Sequence, residues 1–337
     1  MKSIICFICI LIFCSCNSLE NDYDKIVLQE AELLKDGNIL FEYDADYPVG
    51  IYKENDSAFF VIQALSDTCF QVYNPIAKRC LYVGKKGYGS EEFLDPNIIS
   101  SVDKSKLLLE DSDLKKIVRV DVSDDIVNVT SDIPYPEAIF IAKELNTSPN
   151  YFVGRKVGPY EKMFFIYDKR SQEIIEIDNY PKTPYHFIDN NYTFAPVLSL
   201  NEQKDRIILG MYFWDIIQIY NLKGEFVGGY KFQDEYMPNY DKHNKRVDLN
   251  RDYSGVIRSF STADFCYLLR RNIKDTQSQY SLIQLDWDGK LIHYYDLPNN
   301  VLGDFYVDES VKQLYIIQRT MNERDEEIYS IVSYGLH

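Results

Sequence analysis

Apolar residues in this chain recur at every second position over short runs, and the runs come in sets. One set spans Ala58–Gly84: an alternating stretch, a short polar gap, a second alternating stretch, the turn Asn74-Pro75-Ile76-Ala77-Lys78, and a third short stretch. Period-two alternation marks a strand with one buried face. The pattern returns over Lys106–Thr130, Tyr151–Ile177, Arg206–Phe232 and Phe265–Tyr295, and a sixth copy, Gln313–Tyr334, stops at the C-terminus before its last run. Several turns within the sets begin on Asn or Asp, as in Asp168-Lys169-Arg170-Ser171, and two continue to Gly224 and Gly289. Asn and Asp bond their own backbone in such turns, and Gly accepts a positive φ.

A further short strand precedes each set: Val49–Lys53, Asn97–Val102, Glu137–Lys143, Ala195–Leu200, Gly255–Ser261 and Leu302–Asp308. Each unit therefore holds four strands. The third strands begin near Phe70, Ile117, Met163, Ile217, Leu282 and Ile328, at intervals of 46 to 65 residues. That interval suits one blade of a propeller. A lone four-stranded sheet cannot hide both faces, whereas blades packed around an axis cover each other. The expected fold is all-β: a six-bladed β-propeller of four-stranded antiparallel blades, with Asn38–Tyr43 supplying the strand the last blade lacks. The competing arrangement is a pair of β-sandwiches, which does not account for the count of six or the missing strand. No helical apolar stripe exceeds two or three turns. Ala31–Lys35 reads as a brief helical turn.

Composition narrows the function. The 337 residues carry a formal charge of −16, and aromatics reach 15%, with 28 Tyr and 19 Phe. Nucleic-acid binding is excluded from the expectation, because it needs basic patches that displace counterions. Met1-Lys2-Ser3 followed by the apolar run Ile4–Phe13 reads as a secretory signal, too short for the roughly 20 residues a spanning helix needs. The segment behind it, Asn17 to Asp24, is polar and acidic.

Ser15-Cys16 resembles a bacterial lipobox, in which the cysteine sulfur takes a diacylglycerol before cleavage. The expected organisation is a signal peptide over 1–15, a lipidated tether and entry segment over 16–37, and the propeller over 38–337. Cys69, Cys80 and Cys266 remain beyond Cys16; an odd number in an exported chain argues against a disulfide framework. Cys69 and Cys80 flank the first hairpin turn about one residue out of line; three buried free thiols is the expectation, and a Cys69–Cys80 pair across the turn is the alternative.

After the first blade comes Gly84-Lys85-Lys86-Gly87-Tyr88-Gly89-Ser90-Glu91-Glu92-Phe93-Leu94-Asp95-Pro96. It resembles the G-x-x-G-x-G-x-x-E-F-x-x-P connector of NHL-like propellers, with Phe93 placed to fill the space between two blades. Later connectors depart from it. With the lipobox, the chain resembles the TolB-like six-bladed β-propeller lipoproteins of Bacteroidota. The resemblance implies a fold and an address: a bacterial cell envelope, lipid-anchored, at the outer membrane rather than the inner.

No HExxH, G-x-S-x-G, EF-hand or P-loop pattern occurs. The two longest connectors between blades are more informative, since long loops without regular structure are disproportionately functional. One carries Tyr185, His186 and Tyr192; the other carries Tyr236, Tyr240, His243, Arg246 and Arg251. Tyr with amides and Arg nearby suits stacking on sugar rings or clasping a peptide. The expected role is a non-enzymatic binding module whose loop face meets a glycan, a peptide or an envelope protein, with no catalytic residue and no cofactor assigned. The alternatives are a structural scaffold in an envelope complex, or a metal-dependent hydrolase or lactonase in which calcium is held by separated residues such as Glu137, Asn201 and Asp308.

Overall fold

The computed structural model describes residues 23–26, 31–34, 37–43, 47–55, 58–63, 67–103, 107–123, 126–140, 142–156, 162–183, 185, 187, 189–232, 240–249, 253–274 and 277–337. The signal segment and Cys16 lie outside them.

Six sheets of four antiparallel core strands follow one another along the chain. Blade 1 is Pro48–Asn55, Ala58–Gln63, Thr68–Asn74 and Arg79–Lys86. Blade 2 is Pro96–Ile98, Leu107–Asp111, Lys116–Ser123 and Ile126–Ile133. Blade 3 is Ala142–Thr147, Tyr151–Lys156, Phe164–Asp168 and Ile174–Ile177. Blade 4 is Pro196–Asn201, Arg206–Met211, Ile216–Tyr220 and Phe226–Phe232. Blade 5 is Tyr253–Ser261, Phe265–Lys274, Gln277–Asp286 and Leu291–Leu297. Blade 6 is Val301–Asp308, Gln313–Met321, Glu327–Gly335 and, from the other end of the chain, Asn38–Tyr43. The last pairing is antiparallel, running from Asn38 opposite Ser333 to Tyr43 opposite Tyr329. The chain ends close the ring, and the fold is a six-bladed β-propeller.

Local chemistry explains the turns. Oδ1 of Asn74 accepts from the N–H groups of Ile76 and Ala77, and Oδ1 of Asp168 from Arg170 and Ser171. Asn221, Asp286 and Asn322 repeat the device. Gly224 and Gly289 sit at φ of 78° and 87°, where a side chain is strained. The core lies between blades as much as within them: Ile208, Ile217 and Ile219 of blade 4 share a buried cluster with Val256, Leu268 and Ile283 of blade 5.

The glycine-rich connector folds back so that Glu92–Phe93 adds a parallel fifth strand to blade 1. Phe93 is fully buried, edge-on to Phe70 at 4.8 Å, with the ammonium of Lys116 from blade 2 over its ring at 4.1 Å. A Cβ on Gly84 would lie 2.6 Å from the Phe70 ring, so this close approach needs glycine.

Four expectations are corrected. The helical turn expected over Ala31–Lys35 is absent from its described part, 31–34: Glu32–Leu33 is a strand laid parallel to the outer strand of blade 5, because that edge offers unpaired backbone groups. Upstream, Asp24–Ile26 adds in the same way to the outer strand of blade 4. The N-terminal segment is therefore a belt along blades 4, 5 and 6. In blade 3 the inner strand starts at Ala142, since Glu137–Ile139 forms a single 3-10 turn behind Pro136 and buries Ile139. In blade 2, Asn97–Val102 is not one strand: Pro96–Ile98 pairs within the blade and Ser100–Ser101 pairs with blade 3. Finally, Cys80 faces Tyr73, four positions along the strand from Cys69, so the two thiols lie further out of register than the sequence suggests; Cys69, Cys80 and Cys266 are free. Among the described residues no helix is long and apolar enough to cross a membrane.

Candidate functional site

The connectors between blades 3 and 4 and between blades 4 and 5 meet over the end of blade 4. In the first, the carboxylate of Asp189 accepts from the Tyr192 N–H at 2.9 Å and caps the one-turn helix Asn190–Thr193. The indole N–H of Trp214 donates to the Thr193 carbonyl at 3.0 Å and fastens the connector to the blade. Tyr185 stacks on Tyr240 of the second connector, centroids 4.5 Å apart and planes 13° from parallel. Buried Phe187 stands edge-on to both Tyr240 and Trp214, at 5.2 and 5.9 Å.

The second connector holds a small hairpin, Tyr240–Asp241 paired with Arg246–Val247. Asp241 accepts from the N–H groups of His243 and Asn244, and these bonds hold its carboxyl below the usual range. His243 and Arg246 are exposed on this hairpin. Tyr192 is 45% exposed and leans on Phe213 at 5.5 Å. Thus Tyr185 and Tyr240 are joined, His243 and Arg246 share the hairpin that Tyr240 begins, and Tyr192 sits to the side. His186, Tyr236 and Arg251 lie outside the described residues.

Beneath this face, Asp215 is 5% exposed and takes two guanidinium bonds from Arg270, at 2.8 and 2.5 Å, plus the hydroxyl of Ser254. Sequence reading passed over the turn Tyr212-Phe213-Trp214-Asp215. Three aromatic residues where a strand-to-strand turn is ordinarily polar were the available signal.

A second feature is the central channel, a cavity of about 230 Å³ to which inner strands of all six blades contribute. Its ionisable lining includes Asp304, Arg258, Lys143, Asp95 and Glu144. Asp304 accepts from the Ile51 N–H at 2.8 Å, and its other oxygen lies 3.8 Å from Arg258 Nε. Burial lifts the Asp304 carboxyl to about 6, against the opposing pull of Arg258. Lys143 pairs with Asp95 at 3.1 Å, and Glu144 with Arg155 at 3.1 Å. Behind the lining, between blades 2 and 3, buried Glu110 accepts from the Tyr135 hydroxyl at 2.7 Å; desolvation raises its carboxyl to about 7.

The residues weighed for calcium do not converge. Glu137 is exposed on its 3-10 turn, Asn201 is bound to the Ala263 carbonyl and the Lys204 N–H, and Asp308 is paired with Lys53 at 2.5 Å. Among the described residues no group of three His, Cys, Asp or Glu is placed to hold a metal ion.

No family model and no curated protein sequence matches the chain. Solved structures do. A member of the DUF4221 family from Bacteroides vulgatus superposes with a TM-score of 0.55 at 11% identity, over 94% of this chain and 100% of that one. A candidate exported protein from Bacteroides fragilis gives 0.53 at 13% identity, over 92% and 98%. TolB from Acinetobacter baumannii gives 0.42 at 12% identity, over 85% and 66%. The likeness is one of fold. At these identities it carries no activity across.

Proposed function

We propose that the chain is a lipid-anchored envelope protein whose propeller is a binding module, presenting the loop face over blades 3 to 5 to a glycan, peptide or protein partner. The observation that carries this reading is the junction of two long connectors through the Tyr185–Tyr240 stack. The described parts of two loops from different blades are joined by aromatic packing around buried Phe187, while Tyr185, Tyr192, His243 and Arg246 keep exposed surface. A rigid aromatic platform with polar groups at its rim loses little entropy when it binds. The anchor rests on Cys16. Among the described residues the first strand begins at Asp24, a short stretch of chain beyond Cys16.

Two experiments test the reading. For the partner, the purified protein is screened on glycan and peptide arrays beside a Tyr185→Ala/Tyr192→Ala variant. A bound class that the variant loses by tenfold or more supports the loop face; equal binding by both proteins contradicts it. For the anchor, Cys16→Ala is expected to move the protein from the membrane fraction to the soluble fraction.

A further inference from the structure

The inner strands of this propeller are not regular, and the irregularities sit where they line the channel. Strand pairing slips between Pro48 and Gly50 in blade 1, Lys143 and Asn146 in blade 3, Val256 and Arg258 in blade 5, and Val301 and Phe305 in blade 6. The inner strand of blade 4 pairs without a slip. Bulges bend a strand and re-aim side chains, and they gather beside functional sites. Here they flank or contain Asp304, Arg258, Glu144 and Asn146, all of which line the cavity. Glu144 sits at φ 58°, a strained conformation for a residue with a Cβ.

Two features of the lining are incomplete. Asp304 and Arg258 carry opposite charges 3.8 Å apart, which is beyond hydrogen-bond distance, so the pair is open rather than closed. Asn146 is 4% exposed, and its side-chain oxygen has no hydrogen-bond partner. A buried polar atom left unpaired costs free energy unless something else meets it. The remaining charges are matched: Lys143 with Asp95, and Glu144 with Arg155, while Asp103 is exposed. An anionic ligand would enter this channel uncompensated. A ligand carrying both signs on adjacent atoms would not.

We propose that the channel is a binding site for the zwitterionic head of a free α-amino acid, with Arg258 taking the carboxylate and Asp304 the ammonium. The ammonium brings three donors, and the Asp304 carboxylate supplies acceptors for them. Arg258 is 41% exposed, which leaves its guanidinium accessible from the cavity mouth. The space of about 230 Å³ is smaller than a drug-sized pocket, and Ile51, Val197 and Phe260 on its wall suit an apolar side chain. A neutral polyol offers each charged group only a hydroxyl, whereas the zwitterion offers each its opposite charge. The site does not depend on the loop-face reading, and the two can fail separately.

The test uses calorimetry on the purified full chain with L-leucine as the first probe and the other common amino acids as a panel. Saturable binding of leucine or another apolar member is expected. N-acetyl-leucine, which lacks the ammonium, and leucine amide, which lacks the carboxylate, are each expected to bind at least tenfold more weakly. Asp304→Asn and Arg258→Gln are expected to lose the same factor while keeping the melting temperature within a few degrees. No binding across the panel overturns the proposal, as does equal binding of the blocked derivatives or preferential binding of glucose.

Discussion

The two halves of the ring are held in different ways. Blades 4, 5 and 6 share a belt: Asp24–Ile26 and Glu32–Leu33 run along the outer strands of blades 4 and 5, and Asn38–Tyr43 is itself the outer strand of blade 6. In blades 2 and 3 the outermost strands are Ile126–Ile133 and Ile174–Ile177, and neither has a further strand beyond it among the described residues. Bare strand edges are a liability, and short strands and charges blunt them. Ile174–Ile177 is only four residues long and carries Glu176, which is paired with Lys156 at 2.8 Å. The belted half is stabilised by backbone pairing contributed from far along the chain, the open half by local sequence.

Closure should matter most. Deleting residues 17–44 removes the belt and the outer strand of blade 6, and the expected result is loss of any cooperative melting transition by circular dichroism. Deleting only 17–34 spares Asn38–Tyr43, and this variant should still melt cooperatively, at a lower temperature. If the longer deletion melts like the full chain, the N-terminal strand is decoration rather than closure.

Ion pairs sharpen the comparison. Arg270→Met strands Asp215, which is 5% exposed between blades 4 and 5, and should cost about 3–5 kcal/mol because a buried charge is left uncompensated. Arg155→Met in blade 3 releases Glu144, which is 37% exposed, and should cost about 0–1 kcal/mol. Urea titration of both variants gives the two numbers. Equal losses would mean the halves do not differ in how deeply they bury charge.

The open half should also respond to pH. Glu110 takes up its proton at about 7 in the folded chain, against an ordinary value of 4.5. The folded state therefore holds a proton that the unfolded state has released, and stability falls as pH rises from about 4.5 through 7. The cost at high pH is about 3 kcal/mol, a tenfold change in proton affinity being worth about 1.4 kcal/mol. Asp304, raised to about 6, contributes a fall of the same sign over a narrower window. Glu110→Gln, which keeps the partner hydroxyl of Tyr135 within reach, should flatten most of that slope between pH 5 and 8. An unchanged slope would remove Glu110 from the account.

Legibility in the sequence followed the same divide between local and distant causes. Alternation over Ala58–Gly84 and its copies is a local property, so the blades could be read, and the sixth copy's missing strand pointed to Asn38–Tyr43. The rest of the belt could not be read: strands of two and three residues have no period, and Glu32–Leu33 is extended only because blade 5 offers an edge. Tyr185 and Tyr240 stood out as loop aromatics, but their stacking depends on how blades 3, 4 and 5 are placed. Asp304 looked like any other acidic residue on a strand. Its environment is made by Ile51 and Arg258, which lie in blades 1 and 5.

The smallest effect tests whether the belt is more than a covering. The Tyr23 hydroxyl accepts from Nε2 of Gln218 at 2.7 Å, and Gln218 is fully buried in blade 4. Tyr23→Phe keeps the ring, and with it the edge contact to Phe226 and the ammonium of Lys231 at 5.0 Å. It leaves the Gln218 Nε2 donor with the longer bond to the Asn179 carbonyl at 3.4 Å, while the Gln218 oxygen still accepts from the Tyr220 hydroxyl. The expected loss is about 1–2 kcal/mol, the cost of an under-satisfied buried donor. Hydrogen exchange locates it: amides of Phe226–Phe232 should exchange faster, while those of Ile174–Ile177 in the open half keep their rate. Faster exchange in both strands would instead mean that the ring loosens as a whole, and that the belt steadies all six blades through closure rather than blade 4 through its edge.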